Sequence, residues 1–331
     1  MRAAVIERVG EPPSLTDRPA PEPGTGQALV EVTAAPINPI DLSVGEGRFH
    51  GGSPETPYVP GKEGLGRVLE GAALAPGTRV WFNLPGGLGG AEGSFAERAA
   101  VAEQGAVEVP EGVDDVLAAC FGIAGMAAWL PLEWRAKLQA GESVLVLGAS
   151  GAVGQIAVQA AKLLGAGRVV AAARDADGLK RARELGADAT VDLGAADGVD
   201  ALAETFVDAA GGEIDVTVDP LWGEPAVAAA KAAARFGRIV QIGQSASAEA
   251  TLPSSAIRGK LLAILGHMNM EAPAEVQARA YRRMVEHAAA GDLTVEHEAV
   301  PLDRVGEAWE RQQRFPRRKL VLTPEPNVHL T

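Results

Sequence analysis

A short apolar run that ends in a glycine turn and leads into a helix constrains this fold more than any other feature. The run Val144–Leu147 meets a turn at Gly148–Gly154, where the glycines follow the spacing Gly-x-x-Gly-x-x-Gly. From Val153 to Leu164, apolar side chains recur three or four residues apart, which predicts one buried face of an α-helix. Such glycines let a pyrophosphate approach the backbone, and the helix N-terminus offers it unpaired N–H groups. The stretch therefore predicts a dinucleotide-binding unit.

Strand-like and helical segments alternate from residue 144 to residue 266. Short apolar runs predict six strands, at Val144–Leu147, Arg168–Ala173, Ala189–Asp192, Ile214–Asp219, Arg238–Gly243 and Leu261–Gly266. Helical spacing predicts three helices between later strands, over Leu179–Leu185, Val199–Val207 and Glu224–Ala234. The alternation predicts βαβ units and a parallel sheet, and six strands complete a doubly wound dinucleotide-binding sheet.

Residues 1–110 carry a different pattern, rich in short strands and turns. Turn residues separate five strand-like runs, at Arg2–Val9, Ala28–Ala35, Gly66–Leu69, Thr78–Phe82 and Ser94–Val101. Two segments dense in proline or glycine are expected to be loops, Glu11–Gly26 and the mobile surface loop Leu84–Gly93. Beyond them, the apolar stretch Leu117–Lys137 is expected to be helical.

After residue 266 the alternation ends. We expect a helix over Glu275–Ala290 and a strand over Thr294–Leu302. A helix capped by Asp303 should follow, and then a last strand over Arg317–Thr323. About 65 residues are too few for a core of their own. This segment is therefore expected to pack back onto the N-terminal region.

Composition limits the classes of protein to which the chain can belong. Apolar residues make up 47% of the 331 and charged residues 22%, as in soluble globular proteins. No apolar run approaches the roughly 18 residues of a membrane span, and the N-terminus lacks the apolar core of a signal peptide. A formal net charge of −13 argues against a nucleic-acid surface. The single cysteine, Cys120, allows no internal disulfide and fits a reducing, cytoplasmic location.

Several short motifs occur in an order that a known family shares. They are Ile37–Asp41, Pro60–Gly66, Gly93–Glu97, Gly148–Gly154, Asp215–Pro220 and Gly237–Gly243. With them the whole chain resembles the medium-chain dehydrogenase/reductase superfamily, and within it the zinc-independent quinone oxidoreductase and enoyl reductase branch.

The resemblance implies an α/β fold in which a GroES-like, β-rich catalytic domain is split around a Rossmann domain with a doubly wound six-stranded parallel sheet. The implied boundaries are residues 1–120 and 267–331 for the catalytic domain and residues 121–266 for the NADP-binding domain. The resemblance also implies an active site in the cleft, NADPH as cofactor and a homodimer.

Zinc-binding members of this superfamily carry a cysteine and a histidine at two positions where this chain differs. The region of Asn38 replaces the cysteine, and Lys62, a cation, replaces the histidine. The histidines of the chain are His50, His267, His287, His297 and His329, and none of them matches a ligand position. Cys120 lies close to the third ligand region, but a lone buried cysteine is usually a small apolar filler. We therefore expect no metal site.

The residue that closes the second strand of such a sheet reads the adenosine ribose. An acidic residue there favours NAD, whereas a nearby arginine accommodates a 2′-phosphate. Counting from the glycine turn, this position falls at Ala173, followed by Arg174 and Asp175. NADPH is therefore favoured, with Arg174 on the phosphate and Lys180 or Arg181 assisting. Two alternatives remain open: Arg174 is only a solvated loop charge, or Asp175 turns toward the ribose.

The remaining cofactor contacts follow from the resemblance, which places the nicotinamide beside the ends of the fifth and sixth strands. Without that context, Gly243 and Gly266 could be ordinary strand-ending turns. The predicted cofactor-binding set is Gly148, Ser150, Gly151, Ala152, Val153, Gly154, Arg174, Lys180, Ile242, Gly243, Gln244, Leu265, Gly266 and Lys319.

Four polar residues of the N-terminal region are candidates for catalysis: Asn38, Asp41, Tyr58 and Lys62. Asn38 and Asp41 would face the cleft, although Asn-Pro-x-Asp is also a plain turn and helix-start signal. Lys62 could donate a proton or hold a carbonyl oxygen; alternatively, it is a solvated side chain paired with Glu63. Tyr58 could line the pocket.

The function predicted from these features is hydride transfer from NADPH to a small electrophile, a quinone or an α,β-unsaturated carbonyl, without zinc. A metal-free carbonyl reductase or alcohol dehydrogenase is the first alternative, with Lys62 or Tyr58 as its acid. A non-enzymatic NADPH-binding protein is the second, because a fold alone does not establish activity.

Overall fold

The structure is a computed structural model that describes residues 1–49 and 51–324. It divides into two compact units. The first comprises Met1–Ile123, Arg282–Ala289 and the chain from Val295 onward, and the second comprises Ala124–Tyr281 and Ala290–Thr294. The domain boundaries given above stay a prediction. Two histidines that were rejected as metal ligands, His50 and His329, lie outside the described residues, as do the last seven residues of the segment 267–331.

The elements follow one another along the chain in three stretches. Up to residue 119 they are β1 (Arg2–Val5), β2 (Ser14–Asp17), β3 (Gln27–Pro36), α1 (Pro39–Gly45), β4 (Glu63–Glu70), β5 (Arg79–Asn83), β6 (Arg98–Ala102), β7 (Val107–Glu108) and α2 (Asp115–Ala119). The middle stretch holds α3 (Ile123–Leu130), β8 (Ser143–Leu147), α4 (Ala152–Leu163), β9 (Arg168–Ala173), α5 (Ala176–Glu184), β10 (Ala189–Asp192), α6 (Gly198–Ala210), β11 (Ile214–Asp219), α7 (Gly223–Ala232), β12 (Ala233–Gln241), α8 (Ser254–Lys260), β13 (Ala263–Gly266) and α9 (Ala274–Ala289). The last stretch holds β14 (His297–Pro301), α10 (Val305–Gln313) and β15 (Lys319–Thr323).

The first unit is built on a largely antiparallel sheet in the order β14-β15-β3-β4-β5-β7, with β6 also pairing with β3. Along β3, buried and more exposed residues alternate through most of the strand, as expected where one face of an antiparallel sheet covers a core. That core includes Ile37, Phe95 and Trp309, all at most 1% exposed. β15 pairs with β3 through Val321 and Pro36, so the C-terminal strands join the N-terminal sheet.

The second unit contains a six-stranded parallel sheet in the order β10-β9-β8-β11-β12-β13. This is the doubly wound order, which reverses direction between β8 and β11. The side chains from Val144 to Leu147 in β8 are fully buried, because helices cover both faces of such a sheet. The predicted α/β fold with a six-stranded parallel sheet is therefore confirmed.

Some predicted elements differ from the observed ones for local reasons. The expected helix Leu117–Lys137 is interrupted at Gly122, where an added Cβ would collide with Glu63 and Trp81. Asp303 does not cap α10; it lies in a 3-10 turn, and Arg304 occupies the N-cap. The short elements β2, β7 and α8 were not predicted, and β2 lies inside the expected loop Glu11–Gly26; α1 begins at the Asn-Pro-x-Asp helix-start signal. Of the helices in the described ranges, none combines the length and apolar character that a bilayer crossing needs.

Candidate functional site

The turn between β8 and α4 has no room for side chains at two of its glycines. Gly148 adopts a φ of +64°, where glycine is favoured. At Gly154 an added Cβ would collide with the Ala149 Cα and the Gly148 carbonyl oxygen. At Gly151, by contrast, the nearest atom to an added Cβ is 3.7 Å away. The turn therefore presents bare backbone at the carboxyl end of β8, which is where a pyrophosphate can approach closely.

The N-terminus of α4 follows directly on this turn. Gly151 is the N-cap and has no side chain with which to cap the helix. The first N–H groups of a helix have no partner within it, so those of Ala152, Val153 and Gly154 can bind an anion. The neighbouring Ser150 is half-buried, and its carbonyl accepts a hydrogen bond from Gln155 Nε2 at 3.2 Å. The predicted pyrophosphate residues thus lie together on one turn.

The residues after β9 bear on the predicted alternative in which Asp175 turns toward the ribose. Arg174 is exposed, and its guanidinium has no partner in the part of the chain that the structure describes. The Asp175 carboxylate accepts a hydrogen bond from the Gly178 N–H at 2.8 Å and caps α5. An added Cβ at Gly178 would collide with Ser150, so α5 begins against the glycine turn. Asp175 is therefore committed to its helix, while Arg174 and Lys180 are exposed on the same unit.

The five residues predicted near the nicotinamide lie at the carboxyl ends of β12 and β13. In the register of these strands, Gln241 is paired with Gly266. An added Cβ at Gly243 would come within 2.9 Å of the Pro220 carbonyl oxygen, whereas the space at Gly266 is open. Since all strands of this sheet run parallel, these ends share one edge with the glycine turn. The residues concerned are Ile242, Gly243, Gln244, Leu265 and Gly266.

In the first unit, Glu63 is the centre of a buried polar cluster. Its side chain is 0% exposed. The Glu63 carboxylate accepts hydrogen bonds from Asn38 Nδ2 at 2.9 Å, from Trp81 Nε1 at 3.0 Å and from the Ile123 N–H at 2.7 Å. Burial raises the pKa of Glu63, while these donors and the Lys319 charge act against the rise.

Lys319 lies on the other side of the Asn38 carboxamide. Its Nζ donates to Asn38 Oδ1 and, at 3.0 Å, to the Ile37 carbonyl oxygen. Burial lowers the pKa of Lys319, and the Glu63 charge opposes that change. The carboxamide thus connects an ammonium to a carboxylate, which fixes which end of Asn38 is oxygen and which is nitrogen. Removing one member of such a buried pair costs about 3–5 kcal/mol.

These contacts bear on two of the predicted roles. Asn38 uses both its oxygen and its nitrogen within the unit, so it acts as a positioning residue rather than as a proton donor. Lys319, predicted with the cofactor set, is 5% exposed and turns its ammonium inward. Its assignment to the cofactor stays a prediction, and these bonds do not support it.

Asp41 holds the start of α1 in place. Its carboxylate accepts hydrogen bonds from the Asn38 N–H at 2.7 Å and the Lys62 N–H at 2.8 Å. Burial raises the pKa of Asp41 to about 7, against the opposing effects of these N–H groups and of Lys319. The side chain therefore joins the helix start to the turn that carries Lys62.

Tyr58 and Lys62 are the two remaining candidates, and neither makes a side-chain hydrogen bond to Asn38, Asp41, Glu63 or Lys319. Lys62 is 8% exposed, and its Nζ donates to the Pro85 carbonyl oxygen. The alternative of a solvated Lys62 paired with Glu63 is therefore wrong. The Tyr58 hydroxyl is buried and has no hydrogen-bond partner among the described residues. Leaving such a group unsatisfied costs about 1–3 kcal/mol, which marks it as a point where a ligand atom could bind.

The donor set does not suit zinc. Within residues 1–49 and 51–324, no three side chains of His, Cys, Asp or Glu are grouped so that they could hold a metal ion. Cys120 is buried, and the pKa of its thiol is raised by burial, against the effect of the nearby Lys319 charge. The buried ammonium of Lys319 already balances the negative charge of Glu63 and Asp41 in this region. Zinc requires three or four N, S or O ligands, which this arrangement does not supply.

Two residues of these sites were not singled out from the sequence. Glu63 appeared only as a partner for Lys62, although a charged residue at the start of an apolar strand is itself a signal. Asp219 ends β11 and is 0% exposed, and its Oδ1 accepts from the Leu221 and Trp222 N–H groups at 2.9 Å. Burial raises the pKa of Asp219. The strand-like alternation of Ile214, Val216 and Val218 before it was the available signal.

Comparison with known proteins is consistent with both units. The family model described as "Alcohol dehydrogenase GroES-like domain" matches residues 24–111, and that described as "Zinc-binding dehydrogenase" matches residues 152–286. Quinone oxidoreductase-like protein 2 of Rattus norvegicus is 30% identical over 270 residues, which cover 80% of this chain and 74% of that protein. The chain belongs to the medium-chain dehydrogenase/reductase superfamily. Membership confirms the predicted superfamily.

Other members of the superfamily resemble the chain in part or throughout. The NADPH-dependent alkenal/one oxidoreductase of Arabidopsis thaliana is 35% identical over 179 residues, covering 52% of this chain and 46% of that one. The quinone oxidoreductase from Thermus thermophilus, solved also as a complex with NADPH, is 27% identical with a TM-score of 0.80. That match covers 98% of this chain and all of the other. Against the first curated relatives, the chain spans about half of their length.

Proposed function

We propose that this chain is an NADPH-dependent oxidoreductase that transfers hydride to an electron-poor acceptor, a quinone or an α,β-unsaturated carbonyl, without zinc. One observation carries the proposal: the bare glycine turn shares its unit with Arg174, which has no partner among the described residues, while the Asp175 carboxylate is committed to capping α5. An anion at the turn and a 2′-phosphate at Arg174 fit this arrangement. The names of the relatives, which include quinone and alkenal oxidoreductases, support the same class.

The second unit holds the cofactor in this proposal. The N–H groups of Ala152, Val153 and Gly154 would hold the pyrophosphate, and Ser150 lines the turn. Arg174 pairs with the 2′-phosphate, and Lys180 adds a second cation. Backbone groups from Ile242 to Gln244 and at Leu265 and Gly266 hold the nicotinamide carboxamide. When bound, the nicotinamide nucleotide supplies the hydride.

The first unit holds the acceptor. We assign Tyr58 and Lys62 as the candidate donors to an oxygen of the acceptor, because the Tyr58 hydroxyl has no partner among the described residues and Lys62 Nζ bonds only to the Pro85 carbonyl there, whereas Asn38 and Asp41 are held by several bonds within the unit. Asn38 and Asp41 position the segment around Lys62. Tyr58 remains a neutral donor at neutral pH, since burial and then the Asp41 charge raise its pKa. No residue is required to donate a proton, because water can complete the reduction of quinones and enones.

The decisive experiment measures NADPH oxidation by the purified protein with a panel of quinones, enones, aldehydes and ketones. We expect turnover with quinones or enones and slower or no turnover with simple aldehydes and ketones. Turnover with aldehydes and ketones alone would instead support a carbonyl reductase. Tight NADPH binding without any turnover would support a non-enzymatic member of the family. NADH at equal concentration serves as the internal control for nucleotide preference.

We also propose that the protein is a homodimer. β13 is an edge strand of the parallel sheet, and the exposed side chains Met268 and Met270 follow it in the chain. An uncovered edge with neighbouring apolar side chains is a typical site of pairing between chains. Light scattering coupled to size exclusion should give twice the chain mass of 34.0 kDa. A monomer across a wide concentration range would contradict this proposal.

A further inference from the structure

Trp222 has a backbone conformation that is essentially restricted to glycine. It lies between β11 and α7, in residues 219–223, which we call the β11 loop. Its φ is +61° and its ψ is −162°, a region that strains any residue with a side chain. Such strain persists only where the surrounding structure enforces it, and it is concentrated at functional sites. The retention of a large aromatic residue at this position therefore indicates a role for its side chain.

The β11 loop contacts both the glycine turn and the residues predicted near the nicotinamide. The Ile242 N–H donates to the Asp219 carbonyl oxygen at 2.9 Å. An added Cβ at Gly243 would lie 2.9 Å from the Pro220 carbonyl oxygen, and one at Gly148 would lie 3.2 Å from Pro220 Cγ. The loop thus follows β11 at the point where the strand order reverses, which is where α/β sheets of this kind bind ligands.

Asp219 begins this loop with one satisfied and one unsatisfied carboxylate oxygen. Oδ1 accepts hydrogen bonds from the Leu221 and Trp222 N–H groups at 2.9 Å. Oδ2 is buried and has no hydrogen-bond partner in the part of the chain that the structure describes. Burial raises the pKa of Asp219, and the two N–H groups oppose this rise. A carboxylate that is 0% exposed and incompletely bonded is stabilised by a positive charge that a ligand brings.

The indole of Trp222 is the second group that this loop offers to a ligand. It is partly exposed, and it forms no hydrogen bond to any described residue. The face of an indole is electron-rich and attracts cations more strongly than the faces of the other aromatic side chains. Since the Trp222 N–H is bonded to the Asp219 carboxylate, one turn carries both an aromatic face and an acid. That combination suits a planar cation.

We propose that the β11 loop is a subsite for the oxidised nicotinamide ring, with Trp222 contacting the cationic ring and Asp219 supplying the opposing charge. This inference rests on the proposed function and concerns which form of the nucleotide the protein favours. Hydride transfer to the acceptor removes two electrons and one proton from the nicotinamide ring and leaves it positively charged. A site that binds the cation more tightly than the neutral ring therefore favours loss of the hydride.

Calorimetric titration of two variants with NADP+ and NADPH measures this preference. Trp222→Leu keeps the strained backbone and removes the aromatic face, and Asp219→Asn keeps the shape and removes the charge. Each should weaken NADP+ binding at least about fivefold and NADPH binding less than about twofold. An unchanged ratio of the two affinities in either variant, or equal weakening of both nucleotides, would overturn the inference.

Two substitutions in the same unit serve as matched controls. Phe236→Leu also removes an aromatic ring at a positive φ, here +64°, but Phe236 lies in the first half of β12 and is 60% exposed. Asp215→Asn removes a carboxylate near the start of β11, where Asp215 bonds to Ser143. Neither should change the ratio of the NADP+ and NADPH affinities. A change in either control as large as that in Trp222→Leu would also overturn the inference.

Replacement of Trp222 by glycine separates a binding role from a packing role. Trp222→Gly relieves the backbone strain, so its midpoint of thermal unfolding should be at least as high as that of the wild type. Its affinity for NADP+ should nevertheless fall at least about fivefold. A lower midpoint, or unchanged affinity, would show that the indole serves packing and would overturn the inference. Phe236→Gly relieves strain of the same kind and should leave NADP+ affinity unchanged.

A pyridinium without phosphate tests the subsite separately from the proposed function. Of the five tryptophans, only Trp134 and Trp222 are more than 1% exposed. The cation 1-methylnicotinamide should therefore quench the fluorescence of the wild type more than neutral nicotinamide does. Trp222→Phe should lose this difference and Trp134→Phe should keep it; the reverse result, or no difference in the wild type, would overturn the inference.

Kinetics show which of the two proposals has failed. Absence of NADPH oxidation with every acceptor, together with the expected quenching and the expected preference for NADP+, would refute the proposed function while supporting the subsite. Turnover with quinones or enones, together with unchanged nucleotide preference in Trp222→Leu and Asp219→Asn, would support the proposed function and refute the subsite.

Discussion

Asp41 connects the stability of the first unit to pH. Its pKa of about 7 in the folded chain lies above the ordinary value of 3.8, so the folded state keeps a proton that the unfolded state loses. The contribution to stability is complete below pH 4 and is lost as the pH rises to about 7. Relative to Asp41→Asn, the free energy of unfolding of the wild type should therefore fall across this range, by on the order of a few kcal/mol.

Urea unfolding at several pH values between 4 and 8 measures this difference. Asp303→Asn, which removes an exposed carboxylate of the same unit, controls for the change in net charge. A constant difference between wild type and Asp41→Asn would show that the proton is not retained.

Arg174 is the residue on which nucleotide preference depends. Replacing it with alanine should weaken NADPH binding at least about tenfold, or about 1.4 kcal/mol, because a charge-assisted bond to the 2′-phosphate is lost. NADH lacks that phosphate, so its affinity should change little. Fluorescence titration with both nucleotides measures the two constants. Arg183→Ala is the matched control, since Arg183 is exposed on the same unit and bonds to Thr190; equal losses for both nucleotides in Arg174→Ala would remove the specificity argument.

At the scale of the elements, we expect two glycines of the β8–α4 turn to be required for different reasons. Gly154 is required by packing and Gly151 by the ligand. Gly154→Ala would drive a methyl group into Ala149 and the Gly148 carbonyl, and should lower the free energy of unfolding by about 1–3 kcal/mol. Gly151→Ala has space for its methyl group and a φ of −80°. It should change stability by less than about 0.5 kcal/mol but weaken NADPH binding, because the methyl group lies where the pyrophosphate approaches.

Thermal unfolding and NADPH titration of the two variants test this distinction. The prediction is wrong if Gly154→Ala is as stable as the wild type, or if Gly151→Ala binds NADPH normally.

Elements with a strong period could be predicted from the sequence, and irregular ones could not. The continuous apolar run of β8 and the helical spacing of α4 identified the second unit, since burial on both faces leaves a clear pattern. The seven-residue helix α8 was missed, and so was β2, whose four residues are all partly or fully exposed. Neither buries enough apolar surface to show a period.

The residues of the candidate site likewise form two groups, those that sequence spacing predicts and those that it does not. The cofactor residues are local to one turn and to strand ends, so spacing placed them near each other. Lys319 and Asn38 are 281 residues apart in the chain, and only the pairing of β15 with β3 brings them together. The contact between Lys62 and Pro85 depends on a loop of positive-φ glycines, whose path no periodicity specifies.

For the molecule as a whole, the clearest test concerns zinc. One of the matching family models is described as zinc-binding, yet the described residues provide no suitable group of ligands. Elemental analysis of the purified protein should therefore find far less than one zinc per chain, and a chelator should leave thermal stability unchanged. Stoichiometric zinc that a chelator removes with loss of stability would overturn this expectation.

The bridge from Lys319 through Asn38 to Glu63 has a consequence for the response of the protein to ionic strength. Exposed ion pairs such as Arg304 with Glu307 are screened by dissolved ions, and their contribution fades within a Debye length of about 8 Å at physiological salt. The bridged pair lies where counterions do not reach, since Lys319 and Glu63 are 5% and 0% exposed. The pairing of β15 with β3 is thus supported by an attraction that concentrated salt leaves in place.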